Sequence, residues 1–304
     1  MSLSETEIFQ EIAIELAVDP SFVEKDWYAV KLLSVFSDVD FVDIVFTGGT
    51  SLSKGYNLIQ RFSEDLDFRI CSEISMTRGQ RKSIRKRILN IVNSVEDISI
   101  VEDSLLSQNE SRFFSIDVFY PQKFPLQYSL RPYLKLEFTF ENTIEPPEKR
   151  DIYSFVSRLL EKEADCTIST ISPIETGANK YSALIWRMSI KDRTSTELAK
   201  NDPALIRHLY DLAALNPLLM ESFNFVDLVK HSFVEDKGRG GSDKNAPLIE
   251  YSKSALASLT SDSLYKAEYE QFVMAMSYAT DSEEITFERA VEDFRLLVEW
   301  VLGS

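Results

Sequence analysis

Asp65 and Asp67 stand two apart in Ser63–Ile70, a stretch where polar and apolar residues alternate. Residues two apart in a strand share a face, so both carboxylates point one way while Leu66 and Phe68 enter the core. Carboxylates held like this suit a magnesium-type cation, which takes hard oxygen ligands together with substrate phosphates. Such ions activate an attacking hydroxyl and stabilise a leaving pyrophosphate. Upstream, Gly48-Gly49 lies between a short apolar run and a helical pattern. Glycine there lets the backbone approach a ligand, and a helix start offers free N–H groups to phosphate. A Gly-Gly pair alone reads as a turn, and Asp-x-Asp alone as a solvated strand face. In this order and at this spacing they read as one site.

The elements that position these residues follow from periodicity. Residues 4 to 36 form two helices broken at Pro20, with Ile8, Ile12 and Leu16 on one face and Trp27, Val30 and Leu33 on the next. Asp43–Thr47 is a buried strand, Thr50–Gln60 a helix and Ser63–Ile70 a half-buried strand. A helix over Thr77–Val95 sets Arg78, Arg81, Lys82, Arg85 and Lys86 along one face, beside an apolar stripe of Ile84, Ile88, Ile91 and Val92. That basic face suits the phosphates of an acceptor, although a charged helix face is also an ordinary solvated surface. Further strands are expected at Ile98–Val101, Arg112–Tyr120 and Tyr133–Phe140.

Glu145-Pro146-Pro147-Glu148 stops both helix and ladder, which divides the chain into residues 1–147 and 148–304. The second part carries helical patterns at Ile152–Lys162, Thr176–Ser189, Pro203–Leu215, Met220–His231, Tyr251–Leu259, Leu264–Met276 and Phe287–Leu302, with a loop at Arg239-Gly240-Gly241-Ser242. The class is α+β: a small mixed sheet flanked by helices, followed by a mainly helical domain.

With 304 residues, 44% of them hydrophobic, the chain can bury a sizeable core. A net charge of -16 opposes broad adhesion to nucleic acid and leaves only a local patch for that purpose. Cys71 and Cys166 match no zinc spacing and are expected as reduced thiols. No signal-peptide pattern and no membrane-length apolar run occurs. The expectation is a cytoplasmic protein with no membrane partner.

Gly48-Gly49-Thr50-Ser51-Leu52 and Arg61-Phe62-Ser63-Glu64-Asp65-Leu66-Asp67-Phe68 resemble the AbiEii-type toxin nucleotidyltransferases of the DNA polymerase β-like superfamily. Val23-Glu24-Lys25-Asp26-Trp27 is similar to that family's N-terminal helix signature, and Leu134-Lys135-Leu136-Glu137-Phe138 to the strand bearing a third carboxylate. Pro173-Ile174-Glu175 with Lys180 and Arg187 resembles its lysine helix. Arg207-His208-Leu209-Tyr210-Asp211-Leu212 resembles its Arg-Asp-Leu-Tyr-Asp-Leu stretch, with His208 in place of the first Asp.

The resemblance implies a nucleotidyltransferase core using Mg²⁺ or Mn²⁺ held by Asp65, Asp67 and Glu137. Gly48, Gly49, Thr50 and Ser51 would hold the triphosphate of an NTP. Lys180 would neutralise phosphate charge, and Asp211 would orient Lys180 or Arg207 or contact the nucleotide. Ser63, two residues before Asp65, would share its face, and phosphorylation there would repel the nucleotide. The implied acceptor is RNA, at the end of a tRNA, the implied outcome growth arrest by abortive infection, and the implied partner a cognate antitoxin or regulator. Two other readings stay open: transfer to a small-molecule or protein hydroxyl, and a catalytically silent nucleotide-binding module.

Overall fold

Alternation along the strands sets the architecture. A computed structural model of the chain describes residues 4–127, 130–197, 200–238, 246–279 and 284–303. The expected loop at Arg239-Gly240-Gly241-Ser242 lies outside these residues. The strands are β1 (Asp43–Thr47), β2 (Asp65–Cys71), β3 (Ser99–Ile100), β4 (Leu106–Gln108), β5 (Phe113–Phe119), β6 (Leu134–Thr139), β7 (Glu148–Ile152) and β8 (Cys166–Thr170). They form one mixed sheet in the order β3-β5-β6-β2-β1-β8-β7, with β4 also pairing β5. The central pair β2 and β6 is parallel, and β1 and β5 flank it antiparallel.

Phe46, Phe68, Phe138 and Phe114 occupy facing positions on β1, β2, β6 and β5, making one transverse row. The rings of Phe68 and Phe138 stack at 4.9 Å, and those of Phe138 and Phe114 at 4.7 Å. All four are buried. Facing aromatic pairs stabilise a given pairing, and a one-residue slip would turn them to the opposite face.

The helices of this part are α1 (Glu5–Glu15), α2 (Pro20–Ser37), α3 (Gly48–Lys54), α4 (Arg78–Asn93) and α5 (Phe155–Leu159). Pro20 opens α2 behind the Asp19 cap, as a proline at a first helical position can. Reciprocal Ser4/Glu7 and Thr77/Gln80 capping boxes start α1 and α4. Leu32, Leu33 and Phe36 of α2 and Ile88 and Val92 of α4 share the core cluster with the phenylalanine row.

Helix α2 also buries three successive charged residues, Glu24, Lys25 and Asp26. Successive helical residues point about 100° apart, so each reaches a different neighbour. Glu24 accepts from the Lys123 and Phe124 backbone amides. Lys25 Nζ donates to Glu64 Oε1 at 2.5 Å and to the Arg131 carbonyl at 2.8 Å. Asp26 pairs with Lys54 at the end of α3 and accepts from the Phe155 amide at 2.7 Å. A buried charge persists only when paired, so these contacts pin the segments around β2 and α3 to α2.

Several expectations change, among them the helix at Ile152–Lys162, of which only Phe155–Leu159 is helical while Ile152 ends β7. Helix α3 ends at Lys54 rather than Gln60: Gly55 caps it, Asn57 turns left-handed at φ 55, and the chain leaves the helix axis. Glu148–Ile152 is a strand, although its run of charges carries no strand alternation, because it is the edge of the sheet. The boundary therefore does not fall at Pro147. Residues up to Asn57 with Phe62–Ser172 make one compact unit, and Leu58–Arg61 with the chain from Pro173 onward make the other.

The second unit contains α6 (Pro173–Ile190), α7 (Arg207–Glu221), α8 (Phe225–Gly238), α9 (Leu248–Ser261), α10 (Leu264–Phe272) and α11 (Phe287–Gly303). Its core includes Tyr181, Leu184, Phe225, Phe294 and Leu297. Leu58–Arg61 is stitched into it: the Gln60 amide donates to Tyr210 Oη and the Tyr278 amide to the Gln60 carbonyl. Arg61 grips Asp211 with two hydrogen bonds of 2.8 and 2.7 Å, and Lys180 Nζ lies 2.6 Å from the same carboxylate. Among the described residues no helix is long and apolar enough to cross a membrane. Both cysteines are free thiols.

Two stability predictions follow from the buried pairs. Lys25→Met leaves Glu64 buried without its cation and is expected to cost about 3–5 kcal/mol in urea unfolding. Adding Glu64→Gln should recover part of that loss; a double variant no better than the single contradicts the pairing. Burial raises the Asp211 carboxyl, but Arg61 and Lys180 outweigh it and hold the group below its ordinary 3.8. The unfolded chain then takes up this proton first, so the stabilisation is complete above 3.8 and is lost as pH falls below it. Unfolding midpoints measured against pH should show a shallower acid limb in Asp211→Asn than in the wild type. Parallel limbs would assign the acid sensitivity elsewhere.

Candidate active site

Strand β1 delivers Gly48 to the edge of the acidic face. Gly48 has φ +77, and a Cβ built on it would meet Asp67 Oδ2 at 2.0 Å. Both facts demand glycine: the left-handed backbone and the carboxylate against it exclude a side chain. Helix α3 starts here. Thr50 Oγ1 donates to the Asp65 carbonyl at 2.5 Å, and Ser51 Oγ donates to the Gly48 carbonyl at 2.9 Å. Both hydroxyls thus bind backbone, tying the glycine turn to the first residue of β2. Gly49, Thr50 and Ser51 are all buried.

With the phenylalanine row inward, the other face of the same strands carries polar side chains. Thr47, Asp67, Glu137 and Ser115 face one another across β1, β2, β6 and β5. Asp65, Lys135 and Asp117 form the next row across β2, β6 and β5. The acids are interleaved with cations. Lys135 Nζ lies 2.6 Å from Glu137 Oε1, and Arg131 Nη2 donates to Asp65 Oδ1 at 2.5 Å. Burial disfavours the charge on Lys135 and Arg131, but the carboxylates outweigh it and raise both groups. Burial pushes the Asp117 carboxyl up, with Asp65 and Glu137 adding to that and Lys135 and Arg131 opposing it. Among the described residues no three carboxylate, imidazole or thiol groups converge as a ready-made metal cage.

Sequence reasoning missed Asp117 and Arg131. Asp117 was accessible through the alternation of Phe114, Ile116 and Val118, which turns Ser115 and Asp117 to the acidic face. Arg131 precedes β6 in a segment without periodicity, so only its contacts reveal it.

Other anticipated residues fall elsewhere. Ser63 lies ahead of β2 rather than in it, so strand alternation does not govern its direction. Its neighbour Glu64 is buried and takes Lys25 and the Arg131 amide. On α4 the basic stripe divides. Arg81 is buried and donates to the Met76 and Glu110 carbonyls, and Arg85 binds Ser107 Oγ. Arg78, Lys82 and Lys86 remain exposed.

Lys180 and Asp211 belong to the second unit, where Arg61, which sequence reasoning did not single out, is their third member. Arg207 Nε donates to the Phe272 carbonyl. His208 is kept neutral by burial and by the nearby cations Lys180 and Arg187, and its Nδ1 is sealed from solvent with no hydrogen-bond partner.

The Gly48 turn yields a direct test. Gly48→Ala should cost about 1–3 kcal/mol of stability from the strained backbone alone and should displace Asp67. Thermal unfolding and activity measured together check this, and a variant unchanged in both contradicts the close approach.

The chain as a whole has relatives among known proteins. No curated protein sequence matches the chain. Among solved structures it is similar to MenT4, a nucleotidyltransferase toxin from Mycobacterium tuberculosis H37Rv, at TM-score 0.56 and 17% identity over 99% of both chains. A STING-associated CdnE c-di-GMP synthase from Capnocytophaga granulosa matches at TM-score 0.27 and 14% identity, over 99% of this chain and 88% of that one, too low a score to bear on the fold. The MenT4 likeness carries the fold. A family profile described as the nucleotidyl transferase AbiEii toxin of type IV toxin–antitoxin systems matches residues 31–298, and the chain belongs to that family.

Proposed function

We propose that this nucleotidyltransferase moves a nucleotide from an NTP to a hydroxyl of RNA, at the end of a tRNA, with a divalent metal at the acidic face. The observation that carries the reading is the facing pair Asp67 and Glu137, with Asp65 one row along, beside the Gly48 turn. The donors are all carboxylate oxygens, hard ligands of the kind Mg²⁺ and Mn²⁺ favour. Magnesium commonly takes only one or two protein carboxylates and completes its shell with phosphate and water, so a preformed three-acid cage is not needed. Asp65 and Asp67 would hold the metal and Glu137 would complete the set. When bound there, such a metal would supply charge neutralisation between acceptor oxygen and phosphate and on the departing pyrophosphate.

The chain's own residues then divide the remaining tasks. Gly48 keeps the turn open against Asp67, so that phosphate can approach the backbone of Gly49, Thr50 and Ser51. Thr50 keeps that turn in register with Asp65 through its hydrogen bond. Exposed Arg78, Lys82 and Lys86 of α4 are proposed to receive the RNA backbone. For Lys180, Arg207 and Asp211, family resemblance carries the proposal of a role in handling the nucleotide. A type IV system also implies an antitoxin partner.

The net charge of -16, together with the engagement of buried Arg81 by backbone carbonyls and of Arg85 by Ser107, favours a second acceptor class, a small-molecule or protein hydroxyl. One experiment separates the two. The protein is incubated with each labelled NTP, Mg²⁺ and total RNA, beside Asp65→Ala/Asp67→Ala. Label on RNA with the wild type and background with the double variant is the expected result. Label on a small molecule or on protein overturns the RNA acceptor, and equal labelling by the double variant overturns the site.

A further inference from the structure

Arg131 is fixed at its root and divided at its head. Its amide donates to Glu64 Oε1 at 2.7 Å, and its carbonyl accepts from Lys25 Nζ at 2.8 Å. Both partners are buried, and neither contact involves the Arg131 side chain. The guanidinium reaches two acids: Nη2 donates to Asp65 Oδ1 at 2.5 Å, while Nε stands 3.5 Å from Glu64 Oε2. Glu64 already takes Lys25 and the Arg131 amide, so its charge is balanced without that head group. The side chain is 32% exposed, which lets the head turn without moving the backbone. The Tyr133 ring, 5.7 Å from Cζ, offers a face along which it can turn.

A guanidinium on Asp65 competes with any divalent cation for the same oxygen. Its planar fork also matches phosphate better than a point charge does. We propose that Arg131 is an exchangeable counterion of this site. It neutralises Asp65 while the site is empty, yields that carboxylate to an incoming metal–triphosphate, and re-pairs with the phosphates. The proposal rests on the reading of Asp65 and Asp67 as metal ligands. Lys135 pairs with Glu137 within β6 and lies outside this exchange.

The test titrates Mn²⁺ into full-length wild type, Arg131→Ala and Arg131→Gln, reading free Mn²⁺ by electron paramagnetic resonance. Inorganic triphosphate serves as a base-independent probe in a second series at saturating Mn²⁺. Without triphosphate, both variants should bind Mn²⁺ about two- to fivefold more tightly, the span a partly exposed ion pair is worth. With Mn²⁺ saturating, both should bind triphosphate about tenfold more weakly, as loss of a charge-assisted contact predicts. A purely structural arginine would move both affinities in one direction or neither. Unchanged or weakened Mn²⁺ binding in both variants, with wild-type thermal midpoints, overturns the exchange. Absence of Mn²⁺ binding by the wild type, with and without triphosphate, overturns the metal-site reading itself and the exchange with it.

Discussion

The strand register written by Phe46, Phe68, Phe138 and Phe114 governs everything on the opposite face. Because side chains alternate with a period of two, stacking these rings against α2 leaves Asp65, Asp67, Lys135, Glu137, Ser115 and Asp117 on the other side. A slip of one residue on β2 would bury its carboxylates and expose Leu66, Phe68 and Ile70. Core packing and site geometry are therefore one constraint. The aromatic row holds the acids in place without touching them.

Register alone does not position the segments that lead into the strands, and buried charge takes over there. Lys25 binds Glu64 and the Arg131 carbonyl, while Asp26 binds Lys54 at the end of α3. One helix thus anchors the approach to β2, the segment before β6 and the helix that follows Gly48. Buried pairs contribute little net stability compared with apolar packing, but losing one partner is costly. Such pairs suit a scaffold that must fix geometry more than it must add stability. In the second unit Asp211 collects Arg61 and Lys180 by the same logic, and that contact ties Leu58–Arg61 into the helical unit.

Much of this was legible in the sequence wherever a period was present. Ser63–Ile70 alternates, and β2 with its paired carboxylates follows. Pro20 behind Asp19 marks the start of α2. The α+β class and the nucleotidyltransferase family were equally readable, the latter from the Gly48 and Asp65 blocks. Illegible elements lacked a local signal. Strand β7 is a charged sheet edge whose partner lies in β8, so tandem prolines before it looked like a domain boundary. The Glu24-Lys25-Asp26 run gives no sign in sequence that all three charges are buried, because their partners lie 28 to 129 residues away. The basic stripe of α4 had correct spacing, but spacing cannot show that Arg81 turns inward to backbone carbonyls.

The central claim is that the face bearing Asp65, Asp67 and Glu137 is a metal centre, with Arg131 and Lys135 balancing its charge. Anomalous diffraction from a crystal soaked in Mn²⁺ and triphosphate tests it most directly. The account predicts an anomalous peak against Asp65 and Asp67, with the Arg131 guanidinium displaced from Asp65. A peak at another site, or none while Arg131 still grips Asp65, would contradict it.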